Sequence, residues 1–271
     1  QVYALTPQEL DLGLGERRIT LFHPSQVAPP KFTPPDAERG KVVVIPVGHT
    51  EQHAFHLPMS TDTLIIDAIG CGVAAAAADQ ALALPVFPYG VSTHRQAFAG
   101  TLNCGGRAFE DFFIAVVDVL AGRGFDRIYF INGHGGNRGL LETLVREIAG
   151  DFGLNICAMH LGAMISPPGG GNSIEIHGGK DETSAMLALA PELVRQERMA
   201  DSRPPADRAA VRTLILDPAT SWPWRSDDPR IADRGVIGDA PAASVEHGRA
   251  IVARAVEAAG AVLAQFAQPR K

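Results

Sequence analysis

Three short stretches of this chain collect the side chain types that bind metals and move protons. The first, HTEQHAFHLPMSTDT, places Glu51, His53, His56 and Asp62 within twelve positions. Glu51 and His53 are two apart, so on an extended segment a carboxylate and an imidazole face one site. The second, NGHGGN, sets His134 among three glycines, which let the backbone bend tightly and approach a ligand. The third, EIHGGKDETS, carries Glu175, His177, Asp181 and Glu182. This mixture of oxygen and imidazole donors suits Zn²⁺, Mn²⁺ or Fe²⁺. A shared carboxylate can hold two such ions roughly 3.5–4 Å apart, where they acidify a bridging water and polarise the carbonyl it attacks.

Each stretch also has a bland reading. Glu-x-His alone suits a solvated turn or a structural hydrogen bond. GHGGN alone suits an anion-binding turn at a helix N-terminus. Asp181 and Glu182 fall where a first helical turn favours negative charge. The three together weigh more than any one, because each follows an apolar run or opens a helix.

The elements that must position them alternate. KVVVIPVG (Lys41 to Gly48) is continuous and β-branched, as expected of a strand covered on both faces. Further strands are predicted over Leu82 to Gly90, Asp126 to Gly136 and Leu154 to Met164. Helices are predicted over Asp62 to Asp79, Arg107 to Gly122, Asn137 to Gly150, Asp181 to Ala190 and Ser244 to Gln268, the last with Ile251, Ala255, Ala258 and Val262 on one stripe. This alternation predicts a layered α/β fold with a mainly parallel sheet flanked by helices. Ligands of such sheets gather at the carboxyl ends of the strands. Loops are predicted over Pro24 to Gly40, Ser166 to Asn172 and Asp201 to Ala243.

With 271 residues, 46% hydrophobic, the chain reads as one domain spanning 1–271, loop-rich at 24–40 and 201–243. A formal charge of −6 with no Lys/Arg run argues against nucleic acid as a partner. The most apolar stretch, Leu64 to Val86, is interrupted by Asp67, Asp79 and Gln80, so no membrane span is expected. Cys71, Cys104 and Cys157 lack a CxxC pairing and suit reduced thiols, which together with the absence of a visible secretory signal gives a cytoplasmic expectation.

Read in order, EQHxxHLPxxTDT (Glu51 to Thr63), YGxS with its following FxGT (Tyr89 to Thr101), NGHGGN (Asn132 to Asn137) and HxGxxETS (His177 to Ser184) resemble the creatininase (creatinine amidohydrolase) family. The resemblance runs from about Lys41 to Leu187, with a weaker echo in Gly235 to Ser244. It implies a binuclear site with two divalent ions, zinc, manganese or iron, and hydrolysis of a C–N bond in a small amide or cyclic amide through a metal-bridging hydroxide. Carried over by position, Glu51 and His134 bind one ion, His53 the other, and Asp62 bridges both. The family's further glutamate falls at Gly136, and Glu182 is expected to replace it. His177 is expected as general acid/base, with Glu182 beside it. His56, Ser92, Lys180, Trp222 and Trp224 are candidate contacts to a small-molecule substrate. A homo-oligomer is expected, hexamers being known in the family.

Departures at His49-Thr50, Ala54, Ala99, Gly135 and Lys180 argue against creatinine itself as substrate. Two other activities fit the same residues. One is hydrolysis of a C–C bond in a polyhydroxylated cyclic ketone of the inosose type. The other is non-catalytic binding of an anionic metabolite by the GHGGN turn.

Overall fold

In a computed structural model the described residues are 40–95, 97–165, 174–201, 207–217, 219–232 and 234–268. The loops predicted over Pro24 to Gly40 and Ser166 to Asn172 lie outside them, Gly40 excepted. Four parallel strands form one sheet: β1 (Val42–Val47), β2 (Ala81–Ala83), β3 (Arg127–Asn132) and β4 (Asn155–His160), in the order β2-β1-β3-β4. The helices are α1 (Thr61–Ala76), α2 (Gly106–Gly122), α3 (Arg138–Phe152), α4 (Leu161–Ile165), α5 (Lys180–Leu189), α6 (Arg208–Leu214) and α7 (Val245–Phe266).

Alternation along the strands sorts the core into two layers. Val42, Val44, Tyr129 and Ile131 face one side and pack with Ile65, Ile66 and Ile69 of α1 and Ala255, Ala259 and Leu263 of α7. Val43, Ile45, Ile128 and Phe130 face the other and pack with Phe109, Phe113 and Val117 of α2 and Leu141 and Leu144 of α3. Both faces of β1 are buried, which is why its sequence is continuously apolar. Truncating a side chain in this core, such as fully buried Phe113, to alanine costs about 3–5 kcal/mol.

Several expectations change. The third and fourth strands end at Asn132 and His160 instead of Gly136 and Met164, and α4 begins where the fourth was expected to continue. The second strand ends at Ala83 instead of running to Gly90, leaving only isolated bridges from Val47 to Phe87 and from Gly90 to Asn103. Pro85 and Pro88 interrupt this stretch, and proline has no N–H for a ladder. The segment Asp201 to Ala243 is not all loop: α6 buries Val211 against Ile174, Ile231 and Ile237 in a small satellite core. The last helix forms as expected, with Ser244 Oγ accepting from the His247 N–H (3.1 Å) as its cap. Its fully buried stripe is Ile251, Ala255, Ala259 and Leu263, with Ala258 and Val262 at the edge. No described helix is long and apolar enough to cross a membrane.

From β1 the chain crosses by α1 to β2 on one side and later, by α2, to β3 on the other, so the order of strands reverses between β1 and β3. Ligand crevices in open α/β sheets open at such a reversal, at the carboxyl ends of the strands. Val47 pairs with Asn132 and Asn132 with His160, which brings those ends level.

Candidate metal centre

The segments leaving β1 and β3 fold toward each other over that crevice. After β1 the chain delivers His49, Glu51, His53 and His56; α1 then begins at once and sets Asp62 in its first turn. After β3, Asn132 holds the glycine turn from both sides. Its Nδ2 donates to His134 O (2.7 Å) and its Oδ1 accepts the His134 N–H (3.2 Å). Asn137 fixes the same turn to β1 by donating to Asn132 Oδ1 (3.1 Å) and to Gly48 O (3.2 Å), while its Oδ1 accepts the Val91 N–H (2.9 Å). Between Ile174 and α5 the chain pairs with Ile237 and brings in His177 and Glu182.

Five groups from the three stretches converge. Asp62 turns its two oxygens to different histidines: Oδ1 lies 3.1 Å from His53 Nε2 and Oδ2 lies 2.9 Å from His134 Nδ1. Glu51 Oε1 lies 3.4 Å from His134 Nδ1, and Glu182 Oε2 lies 3.6 Å from His53 Nε2. Ligands bound to one zinc at about 2.0–2.1 Å in a tetrahedron sit about 3.3 Å apart, so these separations match shared coordination. Glu51, His53, Asp62 and His134 are all buried.

Backbone carbonyls orient the three inner imidazoles. His53 Nδ1 pairs with Glu51 O (3.0 Å), His134 Nε2 with Val91 O (3.1 Å) and His177 Nε2 with Gln52 O (2.6 Å). A carbonyl can only accept, so each ring spends one N–H there and a neutral ring turns a bare lone pair inward. The inner nitrogens then face carboxylate oxygens that also lack hydrogens. Asp62 Oδ2 is buried and makes no hydrogen bond of acceptable geometry. Only protons or cations relieve such an arrangement.

The electrostatics of the buried groups carry the same demand. Burial opposes a charge on His53, but the Asp62 and Glu182 carboxylates outweigh it and raise its pKa to about 9. His134 is raised too, burial being overcome by Glu51 and Asp62. Burial would lift the Asp62 pKa, yet His53 and His134 hold it well below the usual carboxylate range. Glu182 is pushed up to about 7, chiefly by burial, with Asp62 adding to the rise and His53 opposing it. Divalent ions would replace these protons, and the donor set suits them.

The expected second glutamate position is closed. A β-carbon at Gly136 would overlap the Val91 carbonyl oxygen and crowd His134 Nε2 (2.5 Å). Glu182 enters the centre beside His53 from the start of α5, its Oε2 also accepting the Gly178 N–H (2.6 Å). His177 Nδ1 lies 3.3 Å from Glu51 Oε1, within proton-transfer reach of the centre. A cleft of about 220 Å³ opens on it, lined by His134, His177, Glu182, His160, Arg138 and Glu175 among others.

The candidate substrate contacts fare unevenly. Ser92 stands behind Glu51, its hydroxyl donating to Oε2 (2.6 Å), and does not line the cleft. His56 is buried and pairs with Thr183 Oγ1 (2.9 Å), fastening its loop to α5. Lys180 contributes its backbone N–H, which Glu175 Oε2 accepts at 2.6 Å; its side chain is not among the cleft-lining groups. Trp224 packs on His94 (ring centroids 4.3 Å), which is near-parallel to His134 at 6.2 Å. Trp222 is 49% exposed and outside the cleft. Sequence reasoning missed Arg138 and His160. The position of His160 at the carboxyl end of a strand was the available signal.

The family model for creatinine amidohydrolase matches residues 30–263. A mycofactocin precursor peptide peptidase of Mycobacterium tuberculosis is 35% identical over 226 residues, covering 79% of this chain and 81% of that protein. Creatinine amidohydrolase of Pseudomonas putida is 30% identical over 232 residues, covering 78% and 84%. The crystal structure of a creatininase superposes with a TM-score of 0.70 at 29% identity, covering 85% of this chain and 92% of that one. Zinc and manganese forms of creatininase match at TM-scores of 0.67 and 0.68, each 28% identical over 84% of this chain and 91% of theirs. Fold, order of motifs and similarity agree: the chain belongs to the creatininase family of hydrolases.

Proposed function

We propose that this chain is a metal-dependent hydrolase of amide C–N bonds that holds two divalent ions, zinc, manganese or iron. One ion would be held by Glu51, Asp62 and His134, the other by His53, Asp62 and Glu182. The observation that carries this reading is Asp62, whose two oxygens face two histidines, each already oriented by a backbone carbonyl. Bound ions would supply an acidified water and a polarised carbonyl.

The chain's own residues do the rest. His177, held by Gln52 O, turns Nδ1 toward Glu51, where it would take up a proton and hand it to the leaving nitrogen. Glu51 at 3.3 Å steadies the charge that the ring then carries. Asn132 and Asn137 keep the glycine turn at a fixed distance from β1, so His134 does not drift as substrate enters. The mycobacterial relatives are peptide peptidases by name and the Pseudomonas relative acts on creatinine. Both descriptions concern C–N bonds; a 3-dehydro-scyllo-inosose hydrolase of Thermotoga maritima also matches, but at 27% identity over 60% of this chain, so the more similar relatives support an amide over a C–C substrate.

The test is a panel of lactams, formamides, short peptides and inososes offered to protein reloaded with each metal, with amine release and ring opening both scored. Amine release that disappears in Asp62→Asn and after chelation supports the reading. Ketone cleavage without amine release, or full activity in chelated protein, contradicts it.

A further inference from the structure

His49 does not belong to the motif set, and it is fully buried against the centre. A ring nitrogen of His49, one of His134 and a Glu51 oxygen lie within 4.8 Å of one another, close enough to suggest a third metal group. The hydrogen bonding says otherwise. The Gly90 N–H reaches His49 Nδ1 at 2.9 Å. A backbone N–H has no lone pair and can only donate, so Nδ1 is bare and the ring hydrogen sits on Nε2. This is the reverse of His53, His134 and His177, whose hydrogens go outward to carbonyls. Among these four rings, His49 is the one whose neutral form presents its hydrogen inward.

That Nε2 has no hydrogen-bond partner and lies 3.8 Å from Glu51 Oε2, the oxygen that already accepts the Ser92 hydroxyl at 2.6 Å. The other Glu51 oxygen, Oε1, is the one near His134 and His177. We propose that His49 is a positioning residue and not a ligand: the Ser92 hydroxyl bonds Glu51 Oε2 and the His49 N–H faces the same oxygen at 3.8 Å, an electrostatic contact that draws Oε2 outward, so that Glu51 offers the centre chiefly Oε1. A carboxylate so held resists turning both oxygens inward, which leaves Oε1 facing His134, with which it would hold an ion. The inference rests on the metal-dependent reading for its effect on ion binding, but the direction of the His49 hydrogen does not depend on it.

Two measurements on the full chain test it. In metal-free wild-type protein, ¹⁵N shifts of His49 should report a bare Nδ1 and a protonated Nε2; the opposite tautomer overturns the proposal whether or not any metal binds. For ion binding, Co²⁺ is titrated against a competing chelator into wild type, His49→Asn and His49→Gln. Asparagine can still accept from Gly90 but does not reach Glu51, whereas the glutamine amide can reach it as a donor. His49→Asn should still take up two ions, with one held about 10–100-fold more weakly, the range for loss of a group that orients a ligand. His49→Gln should recover most of that loss. Loss of one ion outright in His49→Asn at saturating Co²⁺ would make His49 a ligand, and unchanged affinity would make it mere packing. Either result overturns the proposal. A wild type that takes up no ion, but shows the expected tautomer, removes the metal reading and leaves His49 as an inward donor to Glu51.

Discussion

The carboxyl end of β1 and the stretch from Trp222 to Arg230 are both irregular, and both pair acids with bases at close range. They differ in what surrounds the pairs. Arg225 with Asp227 (2.8 Å) and Arg230 with Asp228 (2.6 Å) lie at the surface, where water serves each partner as well as the other does. Asp62 with His53 and His134 is buried between the start of α1 and the β3 turn, where solvent competes far less. Asp228 and Asp62 are both held acidic by neighbours. Only the second arrangement would be costly to leave without a cation. Ion pairs alone therefore do not mark a site; burial with unmatched lone pairs does.

The sharpest way to break this contrast is to neutralise its buried member. Asp62→Asn should abolish tight binding of both ions and lower amide hydrolysis by about a thousandfold, several kcal/mol of lost stabilisation. Metal analysis and steady-state rates read the two effects. Next, Glu182→Gln should leave one tightly held ion per chain in place of two, by metal analysis after dialysis. Two tight ions in that variant would remove Glu182 from the centre.

Restoring the family's glutamate gives a subtler test. Gly136→Glu should fail to rescue Glu182→Gln and should lower the melting temperature, because overpacking against the Val91 carbonyl costs about 1–3 kcal/mol.

The pH response follows from the buried groups. In the metal-free chain the His53 pKa is raised to about 9, so the stability it contributes is full below about 6.5 and is lost as pH rises through 9. Glu182, raised to about 7, likewise costs stability as it ionises on the way up to that pH. Metal-free protein should melt progressively lower from pH 6 to 9, and added ions should raise the melting point more at pH 8 than at pH 6, as protons cease to compete. A flat profile in calorimetry would contradict the assignment. The smallest effect belongs to the surface: Arg230→Ala should leave both melting temperature and metal content unchanged within error.

Much of this was written locally. β1 announces itself because both of its faces are buried, and α2, α3 and α7 follow from apolar period, with a serine cap opening α7. The ligand stretches were legible because their residues are close in sequence and sit at strand ends. What was not legible depends on distant partners. β2 shrank because prolines override its apolar run, and α6 exists because Val211 finds Ile174 and Ile231. Ser92 reads as a cleft residue until Glu51, 41 positions away, claims its hydroxyl. The direction of the His49 hydrogen is set by Gly90, again 41 positions off, and no spacing rule encodes it.

Anomalous diffraction from crystals of protein reloaded with manganese or zinc tests the central claim most directly. The account predicts two peaks per chain, one among Glu51, Asp62 and His134 and one among His53, Asp62 and Glu182, with Asp62 touching both. A single peak, none, or a pair that leaves Asp62 untouched would contradict it.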